Sequence, residues 1–194
     1  MKALMIDIET LSLKPTAHVV QVGYCGADLT TGEMLIPPTN LWLREEPNGA
    51  IDLDTVHWWM QQSDAARTSV FKPPEGGYVS VGGVFQALHN AYETLNGGAQ
   101  KPTATVWASP SAYDLPILTS MWARLGITLA GGREHKPWPY YMERDLMTLY
   151  KMLDPDKKLK PTNPLEHDAA SDAKAQMDHL IAIFRNNPVL QGAK

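Results

Sequence analysis

The first part of the chain consists of apolar runs that are separated by short turn segments. Residues 2–8 form the first run, residues 17–26 the second and residues 33–43 the third. The stretch DLTTGE between the second and third runs carries the Asp, Thr and Gly residues that are typical of a hairpin turn. This pattern predicts a three-stranded antiparallel meander at the start of the chain.

Helix signals dominate the remainder of the chain. Capping residues and apolar periodicity predict helices over about residues 54–63, 84–95, 109–126, 146–153 and 169–185. Residues 67–80 contain pairs of Pro and Gly and are predicted to form a loop. The β-rich residues 103–108 predict a fourth strand, and we expect a short fifth strand within residues 138–145.

The order of these elements indicates the fold class. Strands that alternate with helices after an antiparallel hairpin predict an α/β layer in which parallel strands extend the hairpin. We therefore expect a mixed five-stranded sheet flanked by helices, in one domain over residues 1–194. Such sheets place their sites at the carboxyl ends of strands, which is where Asp7 and Glu9 lie. Asp54, Ser80 and Asp145 are predicted to cap the helices that follow them.

The composition limits the classes of protein to which this chain can belong. The chain has 194 residues, of which 44% are apolar and 20% charged, and this is typical of a globular protein. No run approaches the roughly eighteen apolar residues of a membrane span, and acids interrupt the N-terminal segment too early for a signal peptide. The single Cys25 excludes an internal disulfide and a cysteine-based zinc site. We expect a cytoplasmic protein without a membrane partner.

Charge argues against a protein that wraps duplex DNA, because the net charge is −4. A nuclease remains compatible with this charge if metal ions and a local basic edge neutralise the phosphates. The densest basic stretch is DPDKKLKP, which contains Lys157, Lys158 and Lys160. It is either an exposed loop or the basic edge of a site that binds phosphate.

Acidic residues at several points of the chain suggest metal chemistry. Asp7 and Glu9 are two apart on a predicted strand, so their side chains point to the same face, where unpaired burial is unfavourable. Asp114 stands at an otherwise apolar helix start, and His167 and Asp172 precede and enter the last helix. Four carboxylates and one imidazole favour Mg²⁺ or Mn²⁺ over zinc.

This set of side chains predicts a reaction as well as a ligand. Two divalent ions about 3.5–4 Å apart can clamp the attacking and leaving oxygens of a phosphodiester. We expect Asp7 to bridge both ions, and Glu9, Asp114 and Asp172 to complete the ligand set. His167 is the predicted general base, which takes the proton of the attacking water.

The motifs resemble the DEDD superfamily of 3′–5′ exonucleases, of the proofreading and RNase T type, which has an RNase H-like fold. The first motif is DIET at residues 7–10, the second is the Asp114 segment after TATVW, and the third runs from His167 to Asp172. The last spacing is that of the histidine subgroup. The resemblance is closest to the small phage and bacterial branch described as exoribonuclease-like, on the paired Trp58-Trp59 and the stretches VWASPSAYDLPIL and ERDLMTL.

This resemblance implies hydrolysis of single-stranded DNA or RNA from the 3′ end, with release of nucleoside monophosphates. It leaves the choice between DNA and RNA open. Several exonucleases of the superfamily are dimers, so the resemblance is compatible with a homodimer, although no stretch of the sequence marks an interface. Thr10, Leu11 and Ser109 are expected to contact the terminal nucleotide. Trp58 is the candidate for stacking on a base, although neighbouring helical residues point roughly 100° apart and Trp59 is the alternative.

Other interpretations stay open at the level of the sequence. The chain is alternatively a non-catalytic nucleic-acid-binding module of the same fold, or a phosphohydrolase that acts on small nucleotides. Arg144 is placed either to pair with an acid or to contact a phosphate.

Overall fold

The computed structural model describes residues 1–44, 46–132 and 134–191. Its chain begins with the predicted meander, in which β1 (Lys2–Thr10), β2 (Val19–Asp28) and β3 (Glu33–Leu43) pair antiparallel in sequence order. The turn between β2 and β3 lies in the DLTTGE stretch, where Gly32 adopts a φ of 73° that favours glycine.

Parallel strands extend the meander on both sides. The strand β5 (Thr105–Ala108) pairs with β1, β6 (Glu143–Asp145) pairs with β5, and β4 (Tyr78–Val79) pairs with β3. The sheet therefore has six strands in the order β4-β3-β2-β1-β5-β6, rather than the predicted five. The prediction missed β4 because two residues cannot produce an alternation of apolar and polar positions, and Pro and Gly pairs precede them.

Seven helices cover the sheet in the part of the chain that the structure describes. They are α1 (Leu53–Met60), α2 (Asp64–Phe71), α3 (Val81–Asn96), α4 (Ser111–Leu125), α5 (Leu146–Leu153), α6 (Ala169–Asn186) and α7 (Pro188–Gln191). Among the described residues, no helix combines the length and the apolar character that crossing a membrane requires.

Most of the predicted helix ends agree with the structure. Ser80 accepts a hydrogen bond from the backbone N–H of Gly83 at 3.1 Å, and Asp145 accepts one from Thr148 at 2.7 Å. The predicted N-cap of α1 was wrong by two residues, because Asp52 occupies the N-cap position and Asp54 lies in the first turn. The helix α2 was missed, since the preceding helix was predicted to end at residue 63 and residues 67–71 were predicted to be loop. Ser63 caps it by accepting a hydrogen bond from Ala66.

Alternation along β1 divides the core between the two faces of the sheet. Leu4, Ile6 and Ile8 pack with residues of α3 and α4 on one face. Ala3 and Met5 pack with residues of α5 and α6 on the other. Asp7 and Glu9 continue this second face, so the strand directs both carboxylates toward the beginning of α6.

Gly23 permits the close approach of α6 to the sheet. It lies opposite Asp7 in the β1–β2 pairing, and a Cβ atom there would be 2.0 Å from the carbonyl carbon of Ala169, the first residue of α6. Because backbone cannot yield as a flexible side chain does, only glycine allows the helix to begin beside the two acids.

Replacing Gly23 with Ala is therefore expected to destabilise the protein by at least about 1–3 kcal/mol, since the start of α6 must move away from the sheet. Thermal unfolding measures this as a lower Tm. The matched control is Gly82→Ala, because a Cβ atom at Gly82 would meet only the Ser80 hydroxyl at 3.9 Å. The control should be neutral or stabilising, and equal Tm values for both variants would contradict the tight contact at Gly23.

Candidate active site

Four carboxylates from three elements meet at one edge of the sheet. Asp7 and Glu9 are 8% and 9% exposed at the carboxyl end of β1, and Asp114 is 3% exposed in the first turn of α4. Asp172 is half-buried in the first turn of α6. The neighbouring strand β5 leads into α4, which explains why Asp114 lies beside Asp7 although more than a hundred residues separate them in the chain.

Hydrogen bonds fix the direction of these carboxylates. The backbone N–H of Ile8 donates to Asp114 Oδ1 at 3.2 Å, which ties α4 to β1. Gln176 Nε2 donates to Asp7 Oδ1 at 2.7 Å. Asp172 accepts two hydrogen bonds, one from the backbone N–H of His167 at 2.8 Å and one from Asn163 Nδ2 at 2.7 Å. Asp7, Asp114 and Asp172 are thus each held in place by a hydrogen bond from a neighbouring group.

His167 completes the group of predicted catalytic residues. Glu9, His167 and Asp172 each offer one ligand atom, and these atoms lie within 4.8 Å of one another, so this group can hold a metal ion. His167 has a φ of 63°, a left-handed conformation that is uncommon outside glycine. Its ring lies edge-on to the rings of Trp58 and Trp59, with centroid distances of 5.0 and 6.1 Å.

The electrostatics of this group favour a cation. Burial, followed by the nearby carboxylates of Asp172, Asp114 and Asp168, raises the pKa of Glu9 to about 8. Burial likewise raises the pKa of Asp114 to about 7, although the hydrogen bond from Ile8 opposes the shift. The pKa of Asp7 lies well above its ordinary value, chiefly because of burial and then because of Asp114, Glu9 and Asp172. Divalent cations offset this repulsion, so the donor set fits Mg²⁺ or Mn²⁺.

The raised pKa values predict how the stability of the metal-free protein depends on pH. A carboxyl group whose pKa is higher in the folded state stabilises the fold below its unfolded-state pKa, and this contribution disappears as the pH rises through the folded-state value. For Glu9 and Asp114 the loss should extend from about pH 4 to about pH 7–8. Over this range, metal-free Glu9→Gln should gain on the order of 1–3 kcal/mol relative to the unsubstituted protein.

Thermal unfolding in the presence of a chelator, at a series of pH values, measures this difference. Mn²⁺ at about one hundred times its Kd should stabilise the unsubstituted protein by about 2.7 kcal/mol, and Glu9→Gln by less. A constant difference in Tm between the two proteins from pH 4 to 9 would contradict the account.

An apolar pocket of about 400 Å³ adjoins the acids on one side, and we call it the apolar pocket. Glu9, Thr10, Trp58 and Tyr113 are among its lining residues. The hydroxyl groups of Thr10 and Tyr113 lie 2.7 Å apart, so one donates to the other. Trp58 is 42% exposed, whereas Trp59 is 3% exposed and donates its indole N–H to the carbonyl oxygen of Thr10. The exposed ring available for stacking is therefore that of Trp58.

A second pocket, of about 340 Å³ and with none of the same lining residues, also adjoins the acids, and we call it the polar pocket. Ser109, His167, Asp172 and Gln176 contribute to its lining. Ser109 is thus separated from Thr10 and Trp58, which line the apolar pocket. Leu11 packs against the small apolar cluster of Val20, Trp59 and Val70 and is absent from the described lining of both pockets.

Some side chains at the site carried no signal in the sequence. Gln176 and Asn163 are uncharged, and only the spacing of one helical turn between Asp172 and Gln176 could have indicated that both face the acids.

Arg144 is exposed, and its guanidinium donates to the carbonyl oxygens of Tyr141 and Glu143 at 2.8 Å. Asp168 is the N-cap of α6 and accepts a hydrogen bond from Ser171.

Several solved structures share the fold of this chain. The zinc-bound complex of Escherichia coli exonuclease I with single-stranded DNA superposes with a TM-score of 0.65 at 14% identity, covering 97% of this chain and 42% of that one. The complex of the same enzyme with a dT13 oligonucleotide gives a TM-score of 0.64 at 14% identity, with 98% and 42% covered. The metal-free complex of exonuclease I with single-stranded DNA gives a TM-score of 0.63 at 14% identity, covering 97% of this chain and 41% of that one. The chain thus spans less than half the length of these proteins, and the predicted RNase H-like exonuclease fold is confirmed.

A family of known proteins matches the sequence over nearly the whole chain. The chain belongs to the family of 3′–5′ exoribonuclease Rv2179c-like domains, which it matches over residues 2–184. Comparison with curated protein sequences gives no match. Family membership confirms the predicted resemblance to the 3′–5′ exonucleases.

Proposed function

We propose that this chain removes nucleoside monophosphates from the 3′ end of single-stranded nucleic acid, with two divalent ions, Mg²⁺ or Mn²⁺, as cofactors. The observation that carries the proposal is the convergence of Asp7, Glu9, Asp114 and Asp172 beside His167, with the pKa of each carboxyl raised by burial. Three buried carboxylates and one half-buried carboxylate, gathered in one place, require a compensating cation.

The residues of the site have distinct proposed roles. Asp7, Glu9, Asp114 and Asp172 hold the ions, which when bound neutralise the phosphodiester and increase the acidity of the attacking water. A ring nitrogen of His167 accepts the proton of that water, and Trp58 and Trp59 restrict the position of the ring. Gln176 and Asn163 keep Asp7 and Asp172 directed at the ions.

The apolar pocket supports a single-stranded substrate. It is open beside Glu9 and presents the Trp58 ring and the Thr10 and Tyr113 hydroxyls, which suit an unstacked base and its sugar. A base inside a duplex cannot enter such a pocket without first separating from its neighbours. Thr10 and Trp58 are therefore the proposed contacts of the terminal nucleotide. Ser109, which lines the polar pocket, is a further proposed contact, and we propose that Leu11, which packs in the cluster of Trp59, supports the site.

RNA is the first candidate substrate, because the family is described as exoribonuclease. Single-stranded DNA is the second, because exonuclease I has been solved with it.

The proposal includes a cytoplasmic location, which the single, buried Cys25 supports, because it forms no disulfide. It also includes one domain over residues 1–194, supported by the single sheet of the described residues, and a homodimer, which sedimentation equilibrium tests.

The proposal is tested with RNA and DNA oligonucleotides of identical sequence, labelled at the 5′ end, in Mg²⁺ and in Mn²⁺. We expect a ladder that shortens from the 3′ end, together with nucleoside 5′-monophosphates. Binding without shortening would identify a non-catalytic module, and hydrolysis of dinucleotides alone would identify a small-nucleotide phosphohydrolase. Either result would overturn the proposal.

A further inference from the structure

The two pockets share no lining residue, and each of them adjoins the acids. Glu9 lines the apolar pocket, and His167 and Asp172 line the polar pocket, although ligand atoms of all three residues lie within 4.8 Å. A phosphodiester held by the acids connects two nucleotides, one on each side. The two pockets are therefore placed to receive the two nucleotides that flank the scissile bond.

The polar pocket extends from the acids to the basic loop that follows α5. Lys157 and Lys160 both line it, together with Tyr150 and His179. The lysine-rich stretch is thus exposed and also borders the candidate site.

A buried contact between Asp154 and His179 holds this loop in place. Asp154 is buried, and its carboxylate lies 2.8 Å from His179 Nε2 of α6. The same carboxylate accepts hydrogen bonds from the backbone N–H groups of Lys158 at 2.9 Å and Leu159 at 3.0 Å. Lys157 adopts a φ of 53° in this turn, and its ammonium lies 5.0 Å from the centre of the Tyr150 ring. The position of the two lysines is thus fixed by the fold.

The lysines of the loop differ in whether they form an ion pair. Lys158 forms an ion pair with Asp156 at 2.9 Å and does not line the pocket. Among the residues that the structure describes, Lys157 and Lys160 form no ion pair with a carboxylate. The acids lining the same pocket are Asp172, assigned to the metal ions, and the exposed Glu166. Two ammonium groups therefore remain available for an anion.

We propose that the polar pocket binds the nucleotide on the 5′ side of the scissile bond, and that Lys157 and Lys160 bind the 5′ phosphate of that nucleotide. This inference rests on the proposed exonuclease function. The terminal nucleotide brings only the scissile phosphate, which lies at the acids, so the apolar pocket needs no cation. The next phosphate along the strand belongs to the penultimate nucleotide, and the pocket with two unpaired lysines is the one that matches it.

The test compares hydrolysis of the dinucleotides ApA and pApA, which differ only in that phosphate. The unsubstituted protein should show a kcat/KM for pApA roughly three- to thirtyfold above that for ApA. The double variant Lys157→Ala/Lys160→Ala should lose this preference and hydrolyse pApA with about the same kcat/KM as ApA. Lys158→Ala is the matched control, and its preference for pApA should be unchanged.

A second measurement uses longer RNA, where salt dependence reports the phosphates that are neutralised. The slope of log(kcat/KM) against log[salt] should become shallower by about 0.7 for each lysine that is lost, and should stay unchanged in Lys158→Ala. Hydrolysis of RNA with the same pApA preference and salt slope in the double variant would overturn the subsite alone. Failure of the unsubstituted protein to hydrolyse any of these substrates would overturn the proposed function as well.

Discussion

Asp7→Asn is expected to lower nucleotide release by a factor of roughly a thousand or more, because it removes several kcal/mol of electrostatic stabilisation from the transition state. Asp7 is the carboxylate that faces all the others, since Asp114, Glu9 and Asp172 each contribute to its raised pKa. Asparagine keeps the shape of the side chain and an oxygen that can accept the hydrogen bond from Gln176. The loss should therefore come from charge rather than from a disturbed fold.

A measurement of thermal stability distinguishes a rate lost through the missing charge from a rate lost through unfolding. Removing one of four buried acids relieves repulsion, so metal-free Asp7→Asn should unfold at the same Tm as the unsubstituted protein or higher near pH 8. The matched control is Asp178→Asn on α6, where Asp178 pairs with Lys174 away from the site. This control should retain its rate. A rate for Asp7→Asn close to that of the control would contradict the assignment of Asp7.

His167→Asn is expected to lower kcat by about a hundred- to ten-thousandfold, which is the usual contribution of a general base. Asparagine is the informative substitution because it tolerates the left-handed conformation that His167 adopts. The backbone N–H of residue 167 can still donate to Asp172, so the metal ligands should stay in place. The change then removes only the imidazole between Trp58 and Trp59.

The measurement combines kcat, KM and the affinity for Mn²⁺. The account predicts a large fall in kcat with Mn²⁺ affinity within about threefold, since Asp7, Glu9, Asp114 and Asp172 remain as ligands. His135→Asn serves as the control, because His135 is exposed and lies in the loop after α4. Full activity of His167→Asn would show that another group accepts the proton.

The parts of the fold that the sequence predicts well are those with a strong local pattern. The meander, the capping by Ser80 and Asp145 and the long helix α6 each follow from apolar periodicity or from a capping residue at a defined position. The strand β4 has only two residues, and it exists because β3 offers it a partner. Such pairing depends on tertiary contact, which the local sequence does not encode.

The residues of the candidate site also differ in how clearly the sequence indicates them. Acids in an apolar context are conspicuous, so Asp7, Glu9, Asp114 and Asp172 could be selected from the sequence, and the fold brings them together with His167. Neutral groups such as Gln176 and Asn163 are not conspicuous, because amides are common on any protein surface. The division of contacts between two pockets also depended on the fold, since Ser109 follows β5 and Thr10 ends β1.

The central claim is that nucleotide release depends on divalent ions held by these acids, and one measurement tests it most directly. Protein freed of metal with a chelator is mixed with 3′-labelled RNA, and Mn²⁺ is then added in steps. The account predicts no release before the addition, recovery that saturates with Mn²⁺, and no recovery for Asp7→Asn. Release at the full rate while the chelator is still in excess would contradict it.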